Sequence, residues 1–132
     1  MVYLSIAGYA FAAMAGIVCL FHLALILGAP WGAATMGGRY TGALPLFGRV
    51  ISALSLLVVL AFAIIILEHT GLITVPMLQG LDWPTWTVVG YCVLGVIMHV
   101  ATPSRIERLL WLPVVLIMFI SSWIAGWYGP AM

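Results

Sequence analysis

The sequence predicts an all-α, polytopic membrane protein, a bundle of four transmembrane helices. Three observations predict it. Hydrophobic residues make up 66% of the 132 and charged residues only 5%, whereas soluble domains carry roughly 25% charge, so polar groups could not cover a soluble surface. The apolar residues fall into four stretches, each long enough for the roughly 20 helical residues that a bilayer requires. Runs such as LSLLVVLAFAIIIL, residues 54–67, lack the alternation of a membrane β-barrel, and lipid offers an unpaired backbone no partner outside a helix.

The first span is placed at Tyr3–Leu27. Gly28 and Pro30 end it, because glycine takes the left-handed C-cap and proline cannot continue the hydrogen-bond ladder. The opening MVYLSIAGYA lacks the basic segment of a secretory signal, so this span is expected to be retained. The second span is placed at Gly48–Leu67, led in by Leu44-Pro45, since proline suits a first helical turn. The third covers Pro84–Ala101. The fourth covers Leu109–Tyr128 and follows Ser104-x-x-Glu107, the spacing of a capping box. Pro113 lies too deep for the first turn and is expected to kink this span. Residues 1–132 form one domain.

Basic residues orient the bundle. Arg39 and Arg49 flank the first connection, Arg105 and Arg108 the third, and the chain has no lysine. The second connection carries Glu68 and Asp82. The positive-inside rule then places connections one and three in the cytoplasm and both termini outside, in a cytoplasmic (inner) membrane. Trp31 and Trp111 at the inner boundary, with Trp83, Trp86 and Trp127 at the outer one, fit an aromatic belt.

The stretch GAPWGAATMGGRYTGALPLFGR, residues 28–49, holds six of the 14 glycines. A phosphate-binding loop needs glycines at fixed spacing followed by lysine and serine or threonine, opening a helix. That pattern is absent, and a packed, partly re-entrant connection is expected instead.

The combination GAPxG, GG, GxLP and a following arginine, with SxxER opening span four, resembles a group of small uncharacterised bacterial four-helix membrane proteins. The matching residues are Gly28, Ala29, Pro30, Gly32, Gly37, Gly38, Gly42, Leu44, Pro45, Arg49, Ser104, Glu107 and Arg108. Where the group often has an acidic residue after GAPxG, this chain has Ala33. The resemblance implies the fold and a bacterial origin, and no activity.

Few groups could carry chemistry. Cys19, His22 and Cys92 are the weak metal candidates, since His22 shares a helix face with Cys19 and the two cysteines sit at similar depth. Cys92 and His99 lie roughly 10 Å apart along their helix, too far to share one zinc. Haem ligation by His22 is a further alternative. An intramembrane histidine bonded to a neighbouring helix and cysteines acting as small hydrophobes account for the same residues, so no cofactor is expected. His69 beside Glu68 reads as a solvated helix end. Ser52, Ser55, Ser121 and Ser122 read as inter-helix bonds, and Gly8, Ala12 and Gly16 as a small-residue packing ridge.

At the inner face Arg49, His99, Glu107 and Arg108 are expected at one bilayer depth, with Arg39 above them in the glycine-rich connection. They form either an anion or lipid-headgroup site or a simple Arg49–Glu107 pair beside headgroup-facing Arg105 and Arg108. Three function classes follow. The first is a non-enzymatic accessory or scaffold subunit, alone, as a homo-oligomer or in a larger membrane complex, because only His22 is an ionisable group plainly inside the membrane. The second is a binder or carrier of an anionic lipid or small metabolite. An enzyme comes third, with three carboxylates and no nucleophile–base set. Membrane lipids are the expected partners; a formal net charge of +1 gives no reason for a nucleic-acid partner.

Overall fold

The computed structural model describes residues 2–130. They form four helices, α1 (Val2–Ile26), α2 (Leu46–His69), α3 (Trp83–Ala101) and α4 (Arg105–Tyr128), each long and apolar enough to cross a membrane. Three short 3-10 turns, at Gly32–Ala34, Met36–Gly38 and Pro76–Leu78, interrupt the connections, and no strand occurs among the described residues. The protein is an all-α four-helix chain.

Local chemistry ends the helices. Gly28, at φ 99°, closes α1: its N–H bonds Leu25 O at 3.2 Å and that of Ala29 bonds Ala24 O at 2.9 Å, the paired bonds of a Schellman motif. Gly71, at φ 80°, closes α2 the same way, with Gly71 N–H on Glu68 O and Leu72 N–H on Leu67 O, both 2.9 Å. α2 therefore runs past the end of its apolar stretch to His69. α4 starts at Arg105 rather than at its first apolar run because Ser104 caps it, its Oγ accepting Glu107 N–H at 3.2 Å. The helix then continues through Pro113.

Helix α1 packs along α2 and α4, and α3 packs along α4, whereas α2 and α3 touch little. One fully buried residue from each helix, Phe11, Ile66, Val88 and Ala125, belongs to the core. Of the two glycines in the expected small-residue ridge on α1, Gly8 makes a close approach and Gly16 does not. A Cβ there would lie 2.5 Å from Thr70 Oγ1, whereas one at Gly16 would meet nothing within 4 Å.

Two placements differ from expectation. Trp111 is not a belt residue: it is buried, and its ring meets Phe21 edge-on at a centroid distance of 4.6 Å. Trp83 and Trp127 are exposed at the opposite end and Trp31 is half-exposed. His69 is not a solvated helix end but 6% exposed, because the end of α4 closes over it. A Cβ at Gly129 would fall 2.6 Å from His69 Nε2, so the missing side chain is what admits the imidazole.

Candidate functional site

The glycine-rich connection is a folded element held by the start of α4. Gly32 N–H donates to Gly42 O at 3.0 Å, and a Cβ at Gly32 would collide with Tyr40 O, so only glycine closes this loop on itself. From α4, Ser104 Oγ donates to Ala33 O at 2.7 Å and Trp111 Nε1 to Ala34 O at 2.8 Å. Gly37, at φ 69°, presents its N–H to Glu107 Oε2 at 2.9 Å.

Glu107 thus leaves its capping box half-made. In the reciprocal form its carboxylate would return to Ser104 N–H. That N–H instead bonds Thr102 Oγ1 at 3.3 Å, and Thr102 Oγ1 itself donates to Glu107 Oε2 at 2.9 Å. One oxygen ties the α1–α2 connection to the α3–α4 connection.

The arginines serve other ends. Arg49 Nε donates to Leu44 O at 2.9 Å and its guanidinium lies over Gly28. Arg108 donates to Thr102 O at 2.7 Å, while its buried Nε has no partner. Arg39 and Arg105 are exposed. The Arg49–Glu107 pair is not formed, and no arginine is ion-paired with Glu107 among the described residues. Arg108 is drawn to a carbonyl left free at the C-terminus of α3, and Arg49 to a loop carbonyl just ahead of α2. Of the five residues grouped at this face, His99 and Glu107 alone line a common cavity.

That cavity, of about 640 Å³, lies among all four helices and beneath the folded connection. Each helix contributes a polar residue to its wall: His22 from α1, Ser52 from α2, His99 from α3 and Glu107 from α4. Ser52 is 1% exposed and its Oγ has no hydrogen-bond partner among the described residues; neither has the buried Nδ1 of His22. His99 Nδ1 lies 2.7 Å from Gly95 O. A carbonyl only accepts, so Nδ1 carries the hydrogen, and the uncharged tautomer of that kind has Nε2 as an acceptor. The rings of Phe62 and Tyr91, 4.8 Å apart edge-on, approach across the α2–α3 gap toward the other end. Leu94 and Met98 line the cavity and are also 61% and 69% exposed. The cavity therefore opens sideways between α2 and α3, where a bilayer would lie.

The metal candidates do not assemble. Among the described residues no group of three or more His, Cys, Asp or Glu is arranged to hold an ion. The Cys19 thiol faces Leu56 O at 3.9 Å, and Cys92 packs into the core. A smaller pocket of about 330 Å³ at the opposite end is lined by Glu68, His69 and Gln79.

Sequence reasoning paired the serines across helices and so missed the unpartnered Ser52. The available signal was depth: His22, Ser52 and His99 each lie within about two turns of the arginine-bearing end of their helices. Comparison of the chain with family models, with curated proteins and with solved structures finds no match.

Proposed function

We propose that this protein is a non-enzymatic binder or carrier that takes an amphiphilic molecule from the bilayer into the inter-helix cavity. The observation that carries the reading is the sideways mouth at Leu94 and Met98, leading to a space of about 640 Å³. Ligand pockets typically fall within roughly 300–1,000 Å³ and combine apolar walls with a few convergent polar groups. The membrane in this reading is a bacterial cytoplasmic one. All four arginines sit at one end, which supports a cytoplasmic position for the folded connection and outer positions for both termini. Exposed Arg39 and Arg105 would then meet anionic headgroups at the membrane surface.

A second reading, an accessory or scaffold subunit, draws on the same opening. Tyr91, Leu94 and Met98 form an exposed apolar rim on which a helix of a partner or of a second copy could rest. One experiment separates the two: native mass spectrometry of gently extracted wild type and of Ser55→Trp, which fills the cavity. Loss of a small-molecule mass in the variant supports the carrier, and loss of a protein mass supports the scaffold. Identical spectra would remove the cavity from both readings.

A further inference from the structure

We infer that the cavity holds an amphiphile with an uncharged, hydrogen-bonding head, a hydroxyl or carbonyl, seated at the arginine-bearing end with its tail toward Phe62 and Tyr91. The inference rests on the carrier reading and narrows its ligand.

Four polar groups of the cavity, one from each helix, gather at one end. His22 is four residues from the end of α1, Ser52 six from the start of α2, His99 two from the end of α3 and Glu107 two from the start of α4. At 1.5 Å per residue all four lie within roughly 9 Å of their helix ends. Farther in, the wall is mainly apolar, with Val59, Met118 and the Phe62 ring, and Ser55 and Tyr91 are its polar side chains. A molecule lying along the cavity meets the cluster of hydrogen-bonding groups first and a mainly hydrocarbon wall after.

Ser52 and His22 hold polar atoms that nothing in the fold uses. An enclosed polar atom without a partner costs about 1–3 kcal/mol, so such atoms are uncommon where no ligand or water meets them. Their chemistry is neutral. A serine hydroxyl both donates and accepts, a neutral imidazole does each at one nitrogen, and His99 adds an acceptor at Nε2. A hydroxyl head matches this set in both directions, and a carbonyl head matches its donors.

Charge excludes the other heads. No arginine lines the cavity, and its one carboxylate is Glu107. An anion would face that carboxylate with no arginine to balance it, at a desolvation cost that burial makes large. A cation would find one counter-charge, Glu107, whose Oε2 already accepts Gly37 N–H and Thr102 Oγ1, and a quaternary ammonium brings Ser52 and His22 neither donor nor acceptor. An uncharged head meets neither penalty. The source is the bilayer, because the mouth at Leu94 and Met98 opens sideways.

The test uses the purified full chain in detergent and three probes with one tail: dodecanol, dodecanoate and dodecyltrimethylammonium. Retention is read by native mass spectrometry. Dodecanol should be retained about tenfold better than either charged probe. Ser52→Ala and His22→Phe should each lower dodecanol retention about three- to tenfold, the worth of one neutral hydrogen bond. Without probe, Ser52→Ala should melt at or above the wild-type temperature, because it deletes an unpartnered hydroxyl.

Better or equal retention of a charged probe, or unchanged dodecanol retention in both variants, overturns the head-group assignment and leaves the carrier reading standing. A lower melting temperature for Ser52→Ala without probe gives the hydroxyl a structural role and likewise overturns the assignment. Failure of wild type to retain any probe overturns it too. The carrier reading falls as well only if Ser55→Trp co-extracts the same masses as wild type.

Discussion

The Glu107 carboxylate accepts the main-chain N–H of Gly37 at 2.9 Å, joining positions 70 residues apart. The contact exists because Gly37 adopts φ 69°, turning its amide toward α4, and because Ser104 starts α4 at the level of the loop. The same carboxylate oxygen takes Thr102 Oγ1. The single acid at this end therefore fastens both connections and closes one end of the cavity.

Glu107→Ala should remove both bonds and leave Gly37 N–H unpaired. Hydrogen bonds to a charged group contribute about 1.5–3 kcal/mol, and partial exposure of the site favours the lower end. The expected outcome is a loss of about 2 kcal/mol in unfolding free energy and faster proteolysis within residues 28–45. Glu107→Gln, which keeps an acceptor, should lose less. Equal cleavage rates in wild type and Glu107→Ala would mean that Ser104 and Trp111 hold the loop without the carboxylate.

Trp111→Phe should keep the aromatic contact with Phe21 and delete the Nε1 donor to Ala34 O. A cost of about 1–2 kcal/mol is expected from the unpaired carbonyl, seen as a lower melting temperature in detergent. Because this bond and that of Glu107 secure one loop, the double variant should lose less than the sum of the two singles. Strict additivity would show that the two ends of the loop detach independently.

Gly8→Ala and Gly16→Ala lie on the same helix and should part company. The Cβ at residue 8 would crowd Thr70 Oγ1 and Leu72 Cδ1, at 2.5 and 2.6 Å, and overpacking of this kind costs about 1–3 kcal/mol. At residue 16 nothing lies within 4 Å, and alanine's helix propensity should leave stability unchanged or raised by up to about 1 kcal/mol. Thermal unfolding of the two variants side by side decides it; equal destabilisation would place Gly16 in a contact.

With Cys19 and Cys92 replaced, single cysteines test the orientation. Met36→Cys and Ile106→Cys should resist an impermeant thiol reagent added to intact cells, and Thr74→Cys should label. Labelling at residues 36 and 106 but not 74 would invert the bundle.

The sequence by itself determined the four spans, because length and apolar composition suffice when lipid forces the backbone to pair within each helix. It also determined the local punctuation: Gly28 at the end of α1 and Ser104 at the start of α4 act through neighbours a few residues away. Gly71 was equally legible in principle and extends α2 to His69, a boundary that the apolar run alone placed earlier. Only the tertiary structure decided which way each helix turns. In water an apolar stripe marks the inward face, but in lipid both faces are apolar, so the burial of Trp111 and His69 left no trace in the spacing. The same holds for Glu107, whose SxxE spacing is satisfied locally by Ser104 while its carboxylate finds Gly37. The cavity belongs to this second class: it exists because α2 and α3 stand apart, a relation between two helices that neither one's residues encode alone.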